Sequence, residues 1–349
     1  MLVRDLKNHL TTVAAALKGA NVPICGCVHF DHDRIWATNL EATIEIEADA
    51  GIDASVPAKA LKVLLTSLDP KVDVSLDRDG DDLIVAGDGF ETALKGHPLQ
   101  DRPSREAESE VVATAKVEAG LASALCAVAT ACSTDDSRQV LTGVLVKIGD
   151  EAISLTSTDS YRLHHDELDA ATSGAAAAIV PAHYFKLLGD DLATIIEVTD
   201  QHVRFIQGRL TITLRAIEGE YPSYRQLRPT STTRLAVLGL ADVESRLRPL
   251  EKLASNLGSN MPVVVEFQPD SDIAKTSVRL PDVGEHSTAL AVDGYEGEGI
   301  TIALNPAFFL AALRFAGGEL RITDELKPVE IRCPSAPRRW ALLMPVRLS

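Results

Sequence analysis

The sequence has few aromatic residues, no long apolar run and no excess of basic residues. Aromatic side chains make up 4% of the 349 residues, whereas hydrophobic residues make up 46%, enough to build buried cores. No run of about 18 apolar residues is present, and no charged segment followed by an apolar one stands at the N-terminus. We therefore expect a cytoplasmic protein without a membrane-spanning helix or a secretory signal.

Acidic residues outnumber basic ones by a wide margin. The chain has 50 Asp and Glu against 34 Lys and Arg, a formal net charge of −16. Phosphate binding needs clustered Lys and Arg, so the average charge argues against a nucleic-acid partner. A local basic surface can nevertheless exist inside an acidic total, so the net charge leaves a basic patch open.

Cysteine is scarce, and the positions of the cysteines favour thiols over bridges. There are five, an odd number; Cys25 and Cys27 lie in a strand-like run, and Cys126 and Cys132 lie in a helix-like one. Such apolar settings are typical of reduced, buried thiols in a cytosolic protein, in preference to zinc ligands or disulfides. We expect neither a metal nor another cofactor.

A short motif recurs three times at nearly constant spacing. It is Xaa-Pro-Ala, with its proline at Pro57, Pro181 and Pro306, about 125 residues apart. Proline suits the first position of a helix, where its missing N–H costs no hydrogen bond. An apolar run of helical spacing follows each copy, and alternating strand-like segments follow that run. The pattern favours a real repeat over coincidence.

Each repeat is predicted to contain a helix, strands, a second helix and further strands. The opening helices are predicted at 3–18, 115–132 and near 240–256, and Pro249 should kink or split the last one. A polar stretch at 97–110 reads as a linker, and the Ala-rich stretch 170–178 as a loop. The fold class is therefore α+β, with two helices per domain on a mainly antiparallel sheet. The expected domains are 1–110 (N-terminal), 111–234 (central) and 235–349 (C-terminal).

No stretch indicates a catalytic centre. Gly87 and Gly89 are not followed by the Gly-Lys-Ser/Thr that completes a phosphate loop of the Walker type. On a strand, His164 and His165 would point to opposite faces and could not easily share one metal ion. No Ser/His/Asp or Cys/His set is evident, although residues that meet only in space cannot be recognised from one sequence. We therefore expect a protein that is not an enzyme.

Two stretches differ from ordinary packing segments. The first, Thr158 to Leu163, reads as a turn followed by a strand. In the second, alternate residues from Trp340 to Leu348 would share one face, and Pro345 confines that strand to an edge or marks its end. The second stretch reads either as a core strand or as an apolar groove wall near the surface, lined by an adaptable methionine.

Three sequence blocks carry a resemblance to a known family. They read Ser-Thr-Asp-Ser-Tyr-Arg-Leu at 157–163, Glu-Gly-Glu-Tyr-Pro-Ser-Tyr-Arg at 218–225 and Met-Pro-Val-Arg-Leu at 344–348. In order, spacing and threefold repeat, the whole chain resembles the bacterial DNA polymerase III beta subunit, the replicative beta sliding clamp. The resemblance implies a DNA-clamp fold, with three similar domains per chain and two chains head to tail in a closed ring. It also implies helices that line a central hole around duplex DNA.

The resemblance further implies a hydrophobic groove that binds a short, mostly apolar peptide of partner proteins. Expected partners are the DNA polymerase III alpha subunit and other polymerases, the clamp loader, and repair and initiation-control proteins. The residues that the resemblance assigns to the groove are Leu141, Thr158, Ser160, Tyr161, Arg162, Leu163, Pro222, Leu227, Leu326, Leu342, Met344, Pro345, Val346 and Arg347.

A closed ring would be held on duplex DNA by topology, which removes the objection from net charge. At physiological salt the screening length is about 8 Å, so basic helix faces act locally despite an acidic exterior. Leu253 is the expected apolar residue of the interface between the two chains of the homodimer. The cations expected to face DNA are Lys7, Lys18, Lys59, Lys62, Lys186, Arg246, Arg248, Lys252 and Arg314.

Several positions depart from the family pattern. Gln226 stands where some relatives have Arg, Pro249 is unexpected in a helix that lines the hole, and Ser349 extends past the usual terminal Leu. The N-terminal domain matches least well.

Three functions remain open on the sequence. The first is a DNA-encircling processivity factor for DNA replication, without catalytic activity. The second is an interaction module of clamp fold that serves a specialised phage or repair partner. The third is an enzyme whose site forms only in space; the low aromatic content and the lack of a catalytic cluster count against it. The solution mass, together with images of a two-chain ring, would settle the class.

Overall fold

The computed structural model describes residues 1–20, 22–105, 109–256, 261–280 and 284–347. Within these ranges the chain forms α-helices, short 3₁₀-helices and many strands, and the paired strands run antiparallel. This confirms the expected α+β class. No helix in these ranges has both the length and the apolar content that crossing a membrane requires.

Along the described chain, helices are separated by groups of strands. The α-helices are α1 Val3–Val13, α2 Ala58–Ser67, α3 Leu121–Ala129, α4 Leu240–Asn256 and α5 Pro306–Ala316. The 3₁₀-helices are Ala14–Leu17, Pro23–Gly26, Leu99–Asp101, Asp136–Leu141, Ala182–Leu187 and Arg225–Leu227. The strands are β1 Cys27–Asp31, β2 Arg34–Thr38, β3 Ala42–Glu47, β4 Ala54–Pro57, β5 Ser75–Asp79, β6 Asp82–Gly87, β7 Phe90–Leu94, β8 Ala113–Val117, β9 Gly143–Gly149, β10 Ala152–Thr158, β11 Arg162–Asp169, β12 Ala171–Ser173, β13 Ala176–Pro181, β14 Thr194–Val198, β15 His202–Gln207, β16 Leu210–Arg215, β17 Arg234–Leu238, β18 Val263–Phe267, β19 Ile273–Leu280, β20 Gly284–Glu296, β21 Ile300–Leu304, β22 Glu319–Ile322, β23 Val329–Cys333 and β24 Ala336–Leu343.

The chain divides into two compact units, each built from segments that are distant in sequence. Unit 1 comprises Met1–Ala122, Lys147–Ala152 and Asp169–Ile217, and unit 2 comprises Ser123–Val146, Ile153–Leu168 and Glu218–Ser349. Unit 1 holds a sheet of order β12-β8-β14-β15-β16-β3-β2-β1-β4 and a separate sheet β5-β6-β7. In unit 2 the strands run in the order β10-β11-β24-β23-β22-β17-β20-β19-β18-β21.

Helix α1 of unit 1 is amphipathic, as its sequence predicts. Val3, Leu6, Leu10 and Val13 are buried at helical spacing and form one apolar stripe. This stripe faces α2 and the strands β2 and β3. Each buried side chain of this size contributes roughly 1.5–3 kcal/mol, so burial on the sheet is what stabilises the helix.

Helix α5 of unit 2 starts as its sequence predicts. The Oδ1 atom of Asn305 accepts hydrogen bonds from the backbone N–H groups of Ala307 (3.0 Å) and Phe308 (3.1 Å), and Pro306 stands in the first turn. This is a capped helix start in which the missing N–H of proline costs nothing. The helix buries its apolar side chains against β23 and β24.

The other two repeat prolines stand one position earlier than expected. Pro57 and Pro181 close β4 and β13, and each occupies the cap position before its helix. The segment after Pro181 forms the 3₁₀-helix Ala182–Leu187, so the prediction of an α-helix there is wrong. Gly189 follows closely, and six residues are too few for a stable α-helix but suit a tight 3₁₀ turn.

The predicted helix 115–132 is wrong at its start. Residues Ala113–Val117 form β8, which pairs with β14, and Gly120 with φ of 79° turns the chain before α3 begins at Leu121. The alternation of buried and exposed residues in β8 is strand-like, and pairing overrides the helix propensity of its alanines.

Three further predictions concern Pro249, the Ala-rich stretch 170–178 and the linker 97–110. Helix α4 contains Pro249 without being split there. The Ala-rich stretch forms β12 and part of β13 and not a loop, because Thr172 pairs with Ala115 across to β8. The described part of the predicted linker is anchored by Arg102, whose Nη1 atom lies 2.6 Å from Asp31 Oδ1.

Candidate functional site

Two neighbouring strands of unit 2, β11 and β24, bring together the two stretches that the sequence singles out. Their antiparallel register pairs Leu163 with Leu342 and His165 with Trp340. Successive side chains of a strand point to opposite faces, so these four side chains share one face. Leu163 and Leu342 are only 2% and 3% exposed. They form the apolar floor of the candidate groove.

The other face of the same two strands packs against α5. The Arg162 guanidinium lies 4.3 Å from the centre of the Phe308 ring, and His164 stacks on Phe315 with ring centres 4.2 Å apart. Burial lowers the pKa of His164 to about 3, so its imidazole is neutral at pH 7 and packs as a core ring. As predicted, His164 and His165 lie on opposite faces.

A tight turn before β11 is held by one carboxylate. Asp159 Oδ1 accepts hydrogen bonds from the backbone N–H groups of Tyr161 (2.9 Å) and Arg162 (3.0 Å), and its Oδ2 accepts one from Arg162 Nε (3.0 Å). Ser160 has φ of 81°, a left-handed conformation that residues other than glycine rarely adopt. Arg138 Nη1 lies 3.2 Å from the Ser160 hydroxyl. The turn leaves Tyr161 exposed while Arg162 returns to the sheet.

The connection that begins at Glu218 is fastened on both sides of the groove floor. At one side the Tyr221 hydroxyl donates to the carbonyl of Thr156 on β10, at 3.5 Å. At the other side Arg228 Nε and Nη2 lie 2.8 and 2.7 Å from Glu330 Oε1 on β23, and that carboxylate is buried. Strands β10 and β23 flank the β11–β24 pair. The segment between the two anchors therefore crosses the face that carries Leu163 and Leu342.

Exposed apolar side chains belong to the segments around this floor. Five predicted groove residues are large apolar side chains that stay open to solvent: Tyr161 (60% exposed), Leu326 (53%), Leu227 (48%), Met344 (37%) and Val346 (36%). Exposed apolar surface of this kind is typical of an interaction site. The floor is thus already covered in the free chain, and these five side chains offer the area that a partner could bury.

The C-terminal segment continues past β24 with two further backbone hydrogen bonds. The Met344 N–H donates to the carbonyl of Tyr161 at 2.9 Å, and the Val346 N–H donates to the carbonyl of Ala303 on β21 at 2.7 Å. Strand β24 ends at Leu343, two residues before Pro345. This confirms the prediction that Pro345 marks the strand's end, because proline has no N–H to donate.

The remaining predicted groove residues differ in their settings. Leu141 is buried at the end of the 3₁₀-helix Asp136–Leu141. The Thr158 hydroxyl donates to the carbonyl of Arg162 at 2.6 Å and so belongs to the turn. Pro222 and Arg347 are exposed, and Pro345 is half-buried.

Five of the cations predicted to face DNA belong to unit 1. Lys59 and Lys62 on α2, together with α1 residues such as Leu10, line a trough of about 340 Å³ between the two helices. Both lysines are exposed. The other three are the half-buried Lys7 and the exposed Lys18 and Lys186.

The remaining four cations belong to α4 and α5 of unit 2, and acidic neighbours neutralise two of them. Arg246 Nε lies 2.8 Å from Asp242 Oδ1 in the same helix, and Arg314 pairs with Glu244 across the two helices. These pairs leave less net positive charge on the helix surfaces than the count of basic residues suggests. Arg248 and Lys252 are exposed.

Two predicted features lie outside the described residues. The side chain of Leu253, the expected interface residue, is one of them, although its backbone belongs to α4. The terminal Ser349 is the other.

The site has the chemistry of a binding surface. Burial raises the pKa of the Cys132 thiol to about 12, so this cysteine behind the turn is not a nucleophile at neutral pH. Within the described ranges, no three His, Cys, Asp or Glu side chains come close enough to hold a metal ion. The surface instead offers apolar side chains, a Tyr161 hydroxyl and the guanidinium of Arg347.

Comparisons with known proteins agree on one family. Residues 115–223 match the family model of the DNA polymerase III beta subunit, central domain. The beta sliding clamp of Synechocystis is 26% identical, over 99% of this chain and 97% of its own length. The beta sliding clamp of Streptomyces coelicolor is 28% identical over 92% of this chain and 88% of its own length. The crystal structure of the Bacillus subtilis DNA polymerase sliding clamp superposes with a TM-score of 0.89 at 21% identity, covering 100% of this chain and 98% of the other.

The chain is similar over nearly its whole length to bacterial beta sliding clamps. The match to solved clamps shows that the whole chain has the clamp fold, and the match at 115–223 covers the Thr158–Leu163 turn and Pro222. The similarity to these clamps agrees with the resemblance seen in the sequence, and the assignment of residues to a groove stays a prediction.

Sequence reasoning missed the residues that hold the groove segments in place. Asp159 carried a usable signal, because Asp in a turn commonly accepts hydrogen bonds from backbone N–H groups two or three residues ahead. The Arg228–Glu330 pair carried no signal in the local sequence, since the two residues are 102 positions apart. Arg138 and Tyr221 likewise act on residues distant in sequence, Ser160 and Thr156.

Proposed function

We propose that this protein is a DNA polymerase processivity factor. In this proposal it is a ring-shaped clamp that encircles duplex DNA, slides along it, and tethers the replicative polymerase and other partners. The observation that carries the proposal is the set of exposed apolar side chains around the Leu163–Leu342 floor, in a chain similar to beta sliding clamps. Its role is accessory and non-catalytic, because encirclement and tethering require binding surfaces alone.

The proposed ring contains two chains, each with three domains at 1–110, 111–234 and 235–349. The C-terminal domain of one chain contacts the N-terminal domain of the other, with Leu253 as an apolar contact. A head-to-tail arrangement is heterologous and closes only if the two ends of the chain carry complementary edges. We expect a two-chain mass by light scattering at micromolar concentration and rings in negative-stain images. A monomeric mass would contradict the ring.

Retention on DNA is proposed to be topological and independent of base sequence. Lys59, Lys62 and Arg248 illustrate the exposed helix cations that would contact phosphates loosely through water. A clamp loaded by a clamp loader should stay on a nicked circle and slide off a linear duplex of the same length. Direct binding should weaken as salt rises, because it depends on counterion release. Equal retention on both DNA forms would refute encirclement.

The groove is proposed to bind short peptides from the polymerase, the clamp loader and repair or initiation-control proteins. Apolar peptide anchors would bury Tyr161, Leu227, Leu326, Met344 and Val346, with Pro222 fixing the wall and Arg347 at the polar margin. The Arg162 guanidinium, predicted for that margin, instead packs on Phe308 at the opposite face. A few such anchors usually carry most of the energy.

The groove is tested with the substitution Met344→Ala. It removes several carbons that a peptide would cover, about 2 kcal/mol, or roughly a 30-fold loss of affinity. The assay is fluorescence anisotropy with a labelled polymerase-derived peptide, with solution mass as a check on assembly. Leu192→Ala, at an exposed leucine of unit 1, is the matched control and should leave the affinity unchanged. Unchanged affinity in Met344→Ala would remove this residue from the groove.

A second candidate is a clamp-fold module that serves a specialised phage or repair partner. It shares the fold and the groove with the first proposal and differs only in the partner. A peptide from the replicative polymerase of the same cell separates the two, because only the processivity factor should bind it.

A further inference from the structure

A second concavity lies beside the candidate groove on the same face of unit 2. It has a volume of about 460 Å³ and shares no residue with the predicted groove. Its lining residues are His165, Glu167, Tyr224, Arg225, Arg228, Pro337, Arg338 and Trp340.

The register of β11 and β24 fixes where this cavity stands relative to the groove floor. Leu163 pairs with Leu342, and two residues further along His165 pairs with Trp340 on the same face. Two residues of strand span roughly 7 Å. An extended peptide that fills the groove can therefore place a neighbouring side chain in the cavity.

The floor of the cavity is aromatic and rigid. The ring centres of His165 and Trp340 are 4.7 Å apart in a stacked arrangement, and His165 Nδ1 lies 2.8 Å from Thr156 Oγ1. Tyr224 stands 5.9 Å from His165 and closes one wall. The Arg228 guanidinium lies 4.9 Å from the Trp340 ring, held there by Glu330.

The charges around the cavity favour one anionic group. The charged groups at the cavity are the guanidiniums of Arg225, Arg228 and Arg338 and the carboxylates of Glu167 and Glu330. Glu330 engages Arg228 at 2.7 Å, whereas Glu167 lies 3.6 Å from Arg338. In the part of the chain that the structure describes, the exposed Arg225 makes no side-chain hydrogen bond or ion pair. With Glu330 counted beside the lining residues, three guanidiniums meet two carboxylates, and Arg225 is the guanidinium that neither carboxylate engages.

We propose that this cavity receives a single carboxylate side chain, Glu or Asp, of the partner peptide whose apolar residues occupy the groove. The proposal rests on the proposed function, because it names an additional recognition element of the same partner. A guanidinium matches a carboxylate in geometry and charge, and aromatic walls accept its methylene stem. A phosphate dianion fits less well, because Glu167 stands at the rim and the excess is one charge.

The test compares two labelled versions of a polymerase-derived peptide, one flanked at both ends by two glutamates and one by two glutamines. We expect the glutamate version to bind roughly 10-fold more tightly, the usual gain from one charge-assisted contact. Arg225→Gln should abolish that gain and leave the affinity of the glutamine version unchanged. Arg209→Gln, at an exposed arginine of unit 1, is the control and should change neither affinity.

Fluorotryptophan labelling locates the contact. The chain has two tryptophans, Trp340 in the cavity and the buried Trp36 in unit 1, which serves as an internal reference. The Trp340 fluorine resonance should shift further with the glutamate peptide than with the glutamine peptide, and the Trp36 resonance should not move. Equal affinities, or equal Trp340 shifts, would overturn the proposal.

The failure of the proposed function would give a different result. If neither peptide binds, the groove is wrong, and a titration with tetraglutamate alone then decides the cavity. A Trp340 shift that Arg225→Gln removes would keep the cavity as a carboxylate site, and no shift at millimolar tetraglutamate would overturn it.

Discussion

The Asp159 turn should control both the stability of unit 2 and the exposure of Tyr161. Asp159→Ala removes two hydrogen bonds from backbone N–H groups and one from the Arg162 guanidinium, all at 2.9–3.0 Å. The Asp159 side chain is 11% exposed, so water replaces these bonds poorly. Hydrogen bonds to charged groups contribute roughly 1.5–3 kcal/mol each, but the turn can relax. We expect a total loss of about 2–3 kcal/mol in the free energy of unfolding.

Asp159→Asn removes the negative charge of this side chain but keeps its size and one acceptor oxygen. The amide oxygen can still accept from the N–H groups of Tyr161 and Arg162, whereas its NH₂ group would face the Arg162 Nε–H donor. We therefore expect a smaller loss, about 1 kcal/mol, for Asn than for Ala. The measurement is urea unfolding of each variant, followed by anisotropy with the labelled groove peptide.

Asp135 provides the matched control for this prediction. Its carboxylate also accepts from a backbone N–H, that of Ser137 at 3.0 Å, and also pairs with an arginine, Arg138 at 3.2 Å. Its side chain is 51% exposed, however, so water compensates for its removal. Asp135→Ala should therefore cost clearly less stability than Asp159→Ala. If Asp159→Ala costs no more than Asp135→Ala, the turn is not held in the way the structure indicates.

Three further predictions concern the same unit. His164→Phe should make the protein less sensitive to acid. The pKa of His164 is about 3 in the folded state and 6.5 in the unfolded state. The contribution of neutral His164 to stability is therefore complete above pH 6.5 and is lost as the pH falls from about 6.5 towards 3. The part of the loss at pH 5.5 that His164 accounts for is about 1.4 kcal/mol, and urea unfolding at pH 7.5 and 5.5 should show a loss smaller by that amount in the variant than in the wild type. Arg228→Ala should cost about 3 kcal/mol by leaving the buried Glu330 carboxylate unpaired, and adding Glu330→Gln should recover part of that loss; additive losses in the double variant would contradict the pairing. Ser160→Gly should stabilise the fold by up to about 1 kcal/mol by relieving φ of 81°, and a measurable destabilisation would show that the Arg138 contact outweighs the strain.

Local sequence signals predicted those elements whose structure depends on their own residues. The stripe of Val3, Leu6, Leu10 and Val13 defines α1, and Asn305 with Pro306 starts α5. The predictions failed where pairing with distant strands overrides local propensity. Residues 113–117 are alanine-rich and look helical, yet they form β8 because β14 and β12 supply hydrogen-bonding partners on both sides. No local signal reports such partners.

The candidate site likewise has features that local sequence predicts and features that it does not. The turn at Asp159 and the strand end before Pro345 follow from the chemistry of Asp and Pro, so the sequence predicts them. The burial of Leu163 and Leu342 does not follow from local sequence. It depends on tertiary packing, such as the pairing of β11 with β24 and a connection that is fastened to Thr156 and Glu330 through contacts spanning 65 and 102 residues.

This burial changes which substitutions can test the groove. Leu163 is 2% exposed before any partner arrives, so a peptide gains almost no area there. Leu163→Ala would leave a cavity in the core and cost about 2–5 kcal/mol of stability, and lost peptide affinity would then report a damaged fold. Met344 and Val346 are more than one-third exposed and stand beyond the last residue of β24. The double change Met344→Ala/Val346→Ala should therefore weaken the groove peptide with little effect on unfolding, whereas Leu163→Ala should lower stability first. That order of effects follows from one strand pair whose buried residues hold the fold and whose end presents the binding surface.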